Sequence, residues 1–253
     1  MSDDYQNASE NKINRTEMGF LDHLEELRWR IIKGLFGIVV GAIVCGIFID
    51  WVMNNFLLYP AVNTNPPLTL INLKPYGQLV LYMEVVLVGG VILSIPNIFY
   101  QFWKFIEPGL LPSERRYISW IVFYSSFCFL GGASFAYFVM LPTALKFFAA
   151  FGTEAISNNI AINEYFSFVI SVILTAGIVF ELPMISYFLS KLGILTPAFM
   201  KKYRKHAIVV ILILAGLLTP GPDLTSQLLL GVPLFILYEI SIFISKFAQK
   251  RAI

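Results

Sequence analysis

The sequence predicts an all-α integral membrane protein: one domain of six transmembrane helices, both termini cytoplasmic, the last two helices short. Three observations predict it. Of the 253 residues, 57% are hydrophobic and 13% charged, with mean hydropathy +0.73, whereas soluble domains carry roughly a quarter charged residues. Long runs such as Gly34–Ile49 hold no charge at all, and a span needs about 20 apolar residues to cross a roughly 30 Å hydrocarbon core. Lys and Arg also collect in alternate connections, the pattern that marks cytoplasmic loops.

The first expected span runs from about Ile31 to Val52, after a charge-dense lead-in, Phe20 to Arg30. In that lead-in Phe20, Leu24, Leu27 and Ile31 fall on one helical face. Residues 1–19 form a polar cytoplasmic tail without an apolar leader segment. The second span runs from about Tyr76 to Trp103 and is interrupted by Pro96. The third covers Tyr117–Leu141. The fourth covers Tyr165–Leu192, with Glu181 and Pro183 inside it. The fifth, Ala207–Leu218, holds about twelve apolar residues, only about 18 Å of helix. The sixth runs from Leu224 to Ser245, the domain closes at residue 247, and 248–253 form a short cytoplasmic tail. The outer connections are the long ones, and Asn54–Pro75, with Pro60, Pro66, Pro67 and Pro75, predicts an ordered cap of turns.

Charge fixes the expected sidedness. Arg28, Arg30 and Lys33 open span one; Lys104, Arg115 and Arg116 lie between spans two and three; Lys201, Lys202, Arg204 and Lys205 precede span five; Lys246, Lys250 and Arg251 close the chain. Only Lys74 and Lys146 fall on the opposite side. A net charge of +2 is too small to suggest nucleic acid. Cys45 and Cys128 sit in apolar segments and read as small core hydrophobes rather than a metal or disulfide pair. No catalytic motif, metal-ligand set or cofactor fingerprint is present, so an enzyme is not expected.

The informative polar residues are few. Glu181 stands in Phe180-Glu-Leu-Pro183, inside an uncharged helix. A mid-bilayer charge costs about 2.5–3.5 kcal/mol on insertion scales, so it either serves function or is satisfied by a Ser or Tyr of a neighbouring helix. Glu84 reads as an interfacial acid close to Lys74. Glu26 and Arg30 form an i,i+4 pair worth about 0.2–0.5 kcal/mol. Glu114 follows Ser113 at the opening of span three, where the helix dipole favours an acid. Two readings stand for Glu26 and Glu114: plain helix support, or two halves of one cytoplasmic carboxylate site. Asp223 can cap helix six. Gln227, one turn further in, needs an interhelical partner.

With these residues placed, the chain resembles the TatC family, the polytopic subunit of the twin-arginine protein translocase, from about Phe20 to Phe247. The carrying motifs are His23-Leu-Glu-Glu-Leu-Arg28, Pro96-Asn-Ile-Phe-Tyr-Gln-Phe-Trp-Lys-Phe-Ile-Glu-Pro108, Glu114-Arg-Arg116, Ser134-Phe-Ala-Tyr-Phe138 with Pro142, Phe180-Glu-Leu-Pro183, and Leu218-Thr-Pro220 with Asp223 and Ser226-Gln227. The resemblance implies binding of twin-arginine signal peptides by Glu26 and Glu114, with Arg28, Phe105 and Arg116 shaping the same patch. It implies that Glu181 faces a concave pocket, and that Thr219 and Gln227 lie where single-span TatA/TatB-type subunits dock. Pro60, Pro96, Pro142 and Asp223 are expected to be structural. It further implies a self-associating multi-subunit complex in the prokaryotic cytoplasmic (inner) membrane that exports folded proteins on the proton-motive force, with no cofactor. The alternative is a proton-coupled small-solute transporter with Glu181 as proton carrier.

Overall fold

A computed structural model describes residues 2–65, 67–109, 115, 118–150, 159–191, 193–218 and 224–250. Helix α1 (Ser2–Ile47) is continuous, so the polar lead-in and the first span are one rod rather than a tail and a separate segment. Its apolar section, Leu21–Ile47, is long and apolar enough to cross a membrane. Leu35, Phe36, Val39, Ile43 and Ile47 are exposed along it, as a lipid-facing stripe must be. After Ile47 the chain passes through a short helix, Ile49–Trp51, a π-turn, Val52–Leu57, and a further short helix, Tyr59–Val62.

The π-turn and Pro60 explain one another. The Phe56 carbonyl would accept from residue 60, and proline has no N–H to give. The Tyr137 hydroxyl donates to that carbonyl instead, at 2.8 Å. The Ala61 N–H turns to the Leu58 carbonyl, which frees the Leu57 carbonyl for the Tyr165 hydroxyl at 2.8 Å.

Helix α2 (Gly77–Leu93) and helix α3 (Ile95–Ile106) meet at a 53° bend. The expected interruption at Pro96 is therefore real. Proline sits in the first turn of α3, where its missing N–H costs nothing, and Ser94 turns its hydroxyl back to the Val91 carbonyl. Helix α4 (Ile118–Phe135) runs through a second π-turn, Ala136–Met140, into α5 (Leu141–Ala150). This third span continues past the expected end at Leu141, because Pro142 occupies the first turn of α5 rather than ending the helix. Helix α6 (Ile162–Val179) breaks at Phe180–Glu181 before α7 (Leu182–Lys191). Pro183 has no N–H for the Val179 carbonyl, which ends α6 there.

Helix α8 (Pro197–Lys202) is capped by the Thr196 hydroxyl. Helix α9 (Arg204–Leu218) has 15 residues, and the final helix, α10 (Leu224–Lys250), has 27. The last helix is thus not short, and its section Gly231–Ala248 is apolar enough to cross a membrane. Among the described residues four helices are long and apolar enough to span, or five if the bent α2–α3 pair is one span. Helix α9 falls below that length.

Two three-residue strands, β1 (Thr69–Ile71) and β2 (Asn159–Ala161), pair in parallel, Thr69 with Asn159 and Ile71 with Ala161. They tie the first outer connection, expected to be an ordered cap of turns, to the connection before α6. Helix α1 packs on α2 and α3, α3 on α4, and α4 on α6, while α7 and α9 pack on α10. The α1–α2 crossing is close because both partners are glycine: a Cβ on Gly41 would lie 2.6 Å from the Gly90 carbonyl oxygen. The main core joins Leu81, Tyr137, Leu141, Tyr165, Phe166 and Val169.

Candidate functional site

The charged mouth of α1 is built by the Pro96 bend, which lays α3 against α1. The Glu26 carboxylate is not free. Its Oε1 accepts from Arg30 Nη2 at 2.8 Å and Nε at 3.2 Å. Arg30 Nη1 reaches Gln101 Oε1 on α3 at 3.5 Å. Gln101 donates to Asn97 Oδ1, and Asn97 donates to the Lys33 carbonyl at 3.1 Å, back on α1. Gly37 leaves the space that the Asn97 amide fills. A polar ladder therefore clamps α1 to α3 and fixes the carboxylate.

The other oxygen, Oε2, points to His23 Nδ1 at 3.8 Å. The His23 ring stacks on Phe105, with centroids 4.3 Å apart and planes at 15°. Glu26 thus presents a half-exposed carboxylate oxygen beside an aromatic platform. A carboxylate accepts about four hydrogen bonds, so Arg30 leaves capacity for a second guanidinium. Of the expected site residues, Glu26 and Phe105 come together through His23. Arg28 is exposed on the same helix. Glu114 and Arg116 lie outside the described residues, as do Thr219 and Asp223. Leu24 and Ile31 of the apolar face are exposed, and the ladder holds the carboxylate. Asn97 and Gln101 were not singled out in the sequence, although their i,i+4 spacing directly after Pro96 places both on one face of α3.

Glu181 is 7% exposed, at the α6–α7 break. Its carboxyl meets the Ser125 hydroxyl and the Phe129 backbone of α4, while Oε1 has no hydrogen-bond partner. A small cavity of about 10 Å³ is lined by Thr175, Val179, Phe180 and their neighbours, and Glu181 does not line it. Gln227 donates to the Leu212 carbonyl at 2.8 Å, so the amide has the interhelical partner it needs. Glu239 pairs with Arg204 at 2.6 Å and ties α10 to α9. Glu84 lies two turns into α2, half-buried and with no ion pair among the described residues, deeper than an acid near Lys74 was expected to sit. Among the described residues no group of three His, Cys, Asp or Glu could hold a metal ion.

Fold and site together define a polytopic helical membrane protein whose polar chemistry is concentrated at one end of α1 and α3. The TatC family, Sec-independent protein translocase protein, matches residues 22–233. The chain is 40% identical to the Sec-independent protein translocase protein TatC of Carboxydothermus hydrogenoformans, over 92% of this chain and 95% of that one. It is 36% identical to TatC of Aquifex aeolicus, over 92% and 97%. A crystal structure of the twin-arginine translocase receptor TatC superposes with TM-score 0.75 at 37% identity, covering 89% of this chain and 99% of that one. This chain belongs to the TatC family. That is a family of protein translocase components, not of catalytic enzymes, and nothing supports the small-solute transporter.

Proposed function

We infer that this chain is the receptor and core subunit of a twin-arginine translocation system in a prokaryotic cytoplasmic membrane. It crosses the membrane six times with both termini inside, α9 serving as a short fifth span. It binds twin-arginine signal peptides through Glu26 and Glu114, with Arg28, Phe105 and Arg116 around them. With single-span TatA/TatB-type subunits, docked near Thr219 and Gln227, it exports folded proteins on the proton-motive force.

The observation that carries this reading is the geometry of Glu26. Arg30 and the α3 ladder hold the carboxylate in place, and Oε2 stays open beside Phe105 and His23. Arginine presents a planar fork that engages a carboxylate and stacks on aromatic faces, so one signal-peptide arginine fits this corner. A second arginine needs a second acid, the role proposed for Glu114. Charge bias supports the sidedness, because the site shares its face with most of the Lys and Arg of the connections.

The test is crosslinking of detergent-solubilised protein to a twin-arginine signal peptide that carries a photoreactive probe beside its arginine pair. Glu26→Ala and Glu114→Ala are each expected to abolish binding. Unchanged crosslinking in both variants would refute the two-carboxylate site.

A further inference from the structure

At the far end of α1 the chain leaves an open cavity of about 500 Å³ between the Val52–Leu57 π-turn, the Tyr59–Val62 helix and the start of α5. Its place is defined by the first span. The apolar section of α1, Leu21–Ile47, ends just before the π-turn, so the cavity lies at the end of α1 opposite the Glu26 corner.

Its polar lining is one-sided. Lys146, Asn55 and Tyr59 line it, all three exposed. Among the described residues no hydrogen bond or ion pair engages the ammonium, the Asn55 amide or the Tyr59 hydroxyl. Among the described residues no acidic side chain lines the cavity. Lys146 supplies a cation, and the Asn55 amide and Tyr59 hydroxyl can donate beside it, a set that suits a phosphate whose headgroup carries no cation to compete with the ammonium. The remaining wall is apolar and aromatic, with Phe56, Phe138 and Pro142. It is also stiff: the Phe56 ring stacks on Tyr137 at 4.0 Å, and the Tyr137 hydroxyl holds the Phe56 carbonyl. A free anion has no use for such a wall, whereas the glycerol and upper acyl carbons of a lipid do.

We propose that this cavity binds one anionic phospholipid, its phosphate held by Lys146 with Asn55 and Tyr59, and its glycerol lying on Phe56 and Phe138. The site fixes a lipid against the outer cap and is separate from the Glu26 corner, so it stands independently of the signal-peptide reading.

Native mass spectrometry of the purified full chain, titrated with phosphatidylglycerol, phosphatidylcholine and inorganic phosphate, tests it. Phosphatidylglycerol is expected to be retained as a single copy in preference to phosphatidylcholine. Lys146→Gln is expected to weaken it about tenfold or more, as loss of one charge-assisted contact implies, and Lys74→Gln to leave it unchanged, since Lys74 lies outside the cavity. Lys146 is exposed, so the variant has no buried contact to lose and folding is preserved. Equal retention in Lys146→Gln, an equal loss in Lys74→Gln, or displacement of the lipid by millimolar inorganic phosphate would each overturn the proposal.

Discussion

A carbonyl that loses its helical partner to a proline must find another donor, and in a membrane protein water is not at hand to supply one. Tyr137 meets that need for Phe56 opposite Pro60, and Tyr165 meets it for the Leu57 carbonyl, which the turned Ala61 N–H leaves free. Tyr165 is almost fully buried, at 2% exposure, so Tyr165→Phe leaves a buried carbonyl unpaired. The expected loss is about 1–3 kcal/mol, measured by unfolding in detergent. Tyr124→Phe is the comparison: Tyr124 is exposed and its ring contacts with Trp120 and Phe123 survive the change, so it should move stability by less than about 0.5 kcal/mol. Equal stability of the two variants would show that the hydroxyl bonds carry no net weight. The residue scale also shows where sequence reasoning stops. The Glu26–Arg30 pair was legible because i,i+4 spacing is local. The reach of Arg30 to Gln101 was not, because it depends on a bend between two other helices.

Elements were legible wherever a local rule decides them. Pro96 had to interrupt the second span and Pro183 the fourth, since each removes one donor from the ladder of backbone bonds. Pro142 acts the other way, because the same chemistry placed in a first turn continues a span instead of ending it. The β1–β2 pairing joins residues about ninety apart through three residues each, too short for any alternation to announce it. Helix packing was equally invisible in the pattern, although the sequence contains its means. Gly90→Ala would set a methyl 2.7 Å from the Ala42 backbone nitrogen, and a backbone cannot give way cheaply. It should separate α1 from α2 and cost about 1–3 kcal/mol. Gly131→Ala meets nothing within 4 Å and should stabilise α4 by about 0.5–1 kcal/mol. Opposite signs in the two melting shifts are the expected result, and a neutral Gly90→Ala would contradict the close crossing.

At the scale of the molecule, size limits what one chain can do. A folded domain of about 100 residues has a radius of gyration of about 13 Å, so it is more than about 26 Å across. Six helices of about 10 Å diameter set in a ring leave a hole of only about 10 Å. This chain does not form even that ring, because Tyr165, Phe166 and Val169 fill its centre as packed core. In the proposed role, a passage for a folded protein would therefore have to come from assembly with further subunits or from the bilayer around them. Helix α9 suits the second route: its 15 residues span about 22 Å, short of the roughly 30 Å hydrocarbon core, so the bilayer beside it must thin if it crosses. Glu181 sits at the junction of the α6 and α7 packing groups with one oxygen unpaired, and a charge there is worth about 2.3 kcal/mol per 100 mV across the full membrane. Liposomes containing this chain alone, with an imposed proton gradient, should transport neither a small solute nor a folded cargo. Adding single-span partner subunits should start export of a twin-arginine cargo, and Glu181→Gln should slow that export while leaving signal-peptide crosslinking intact. Solute uptake by the chain alone, lost in Glu181→Gln, would make it a carrier rather than a receptor.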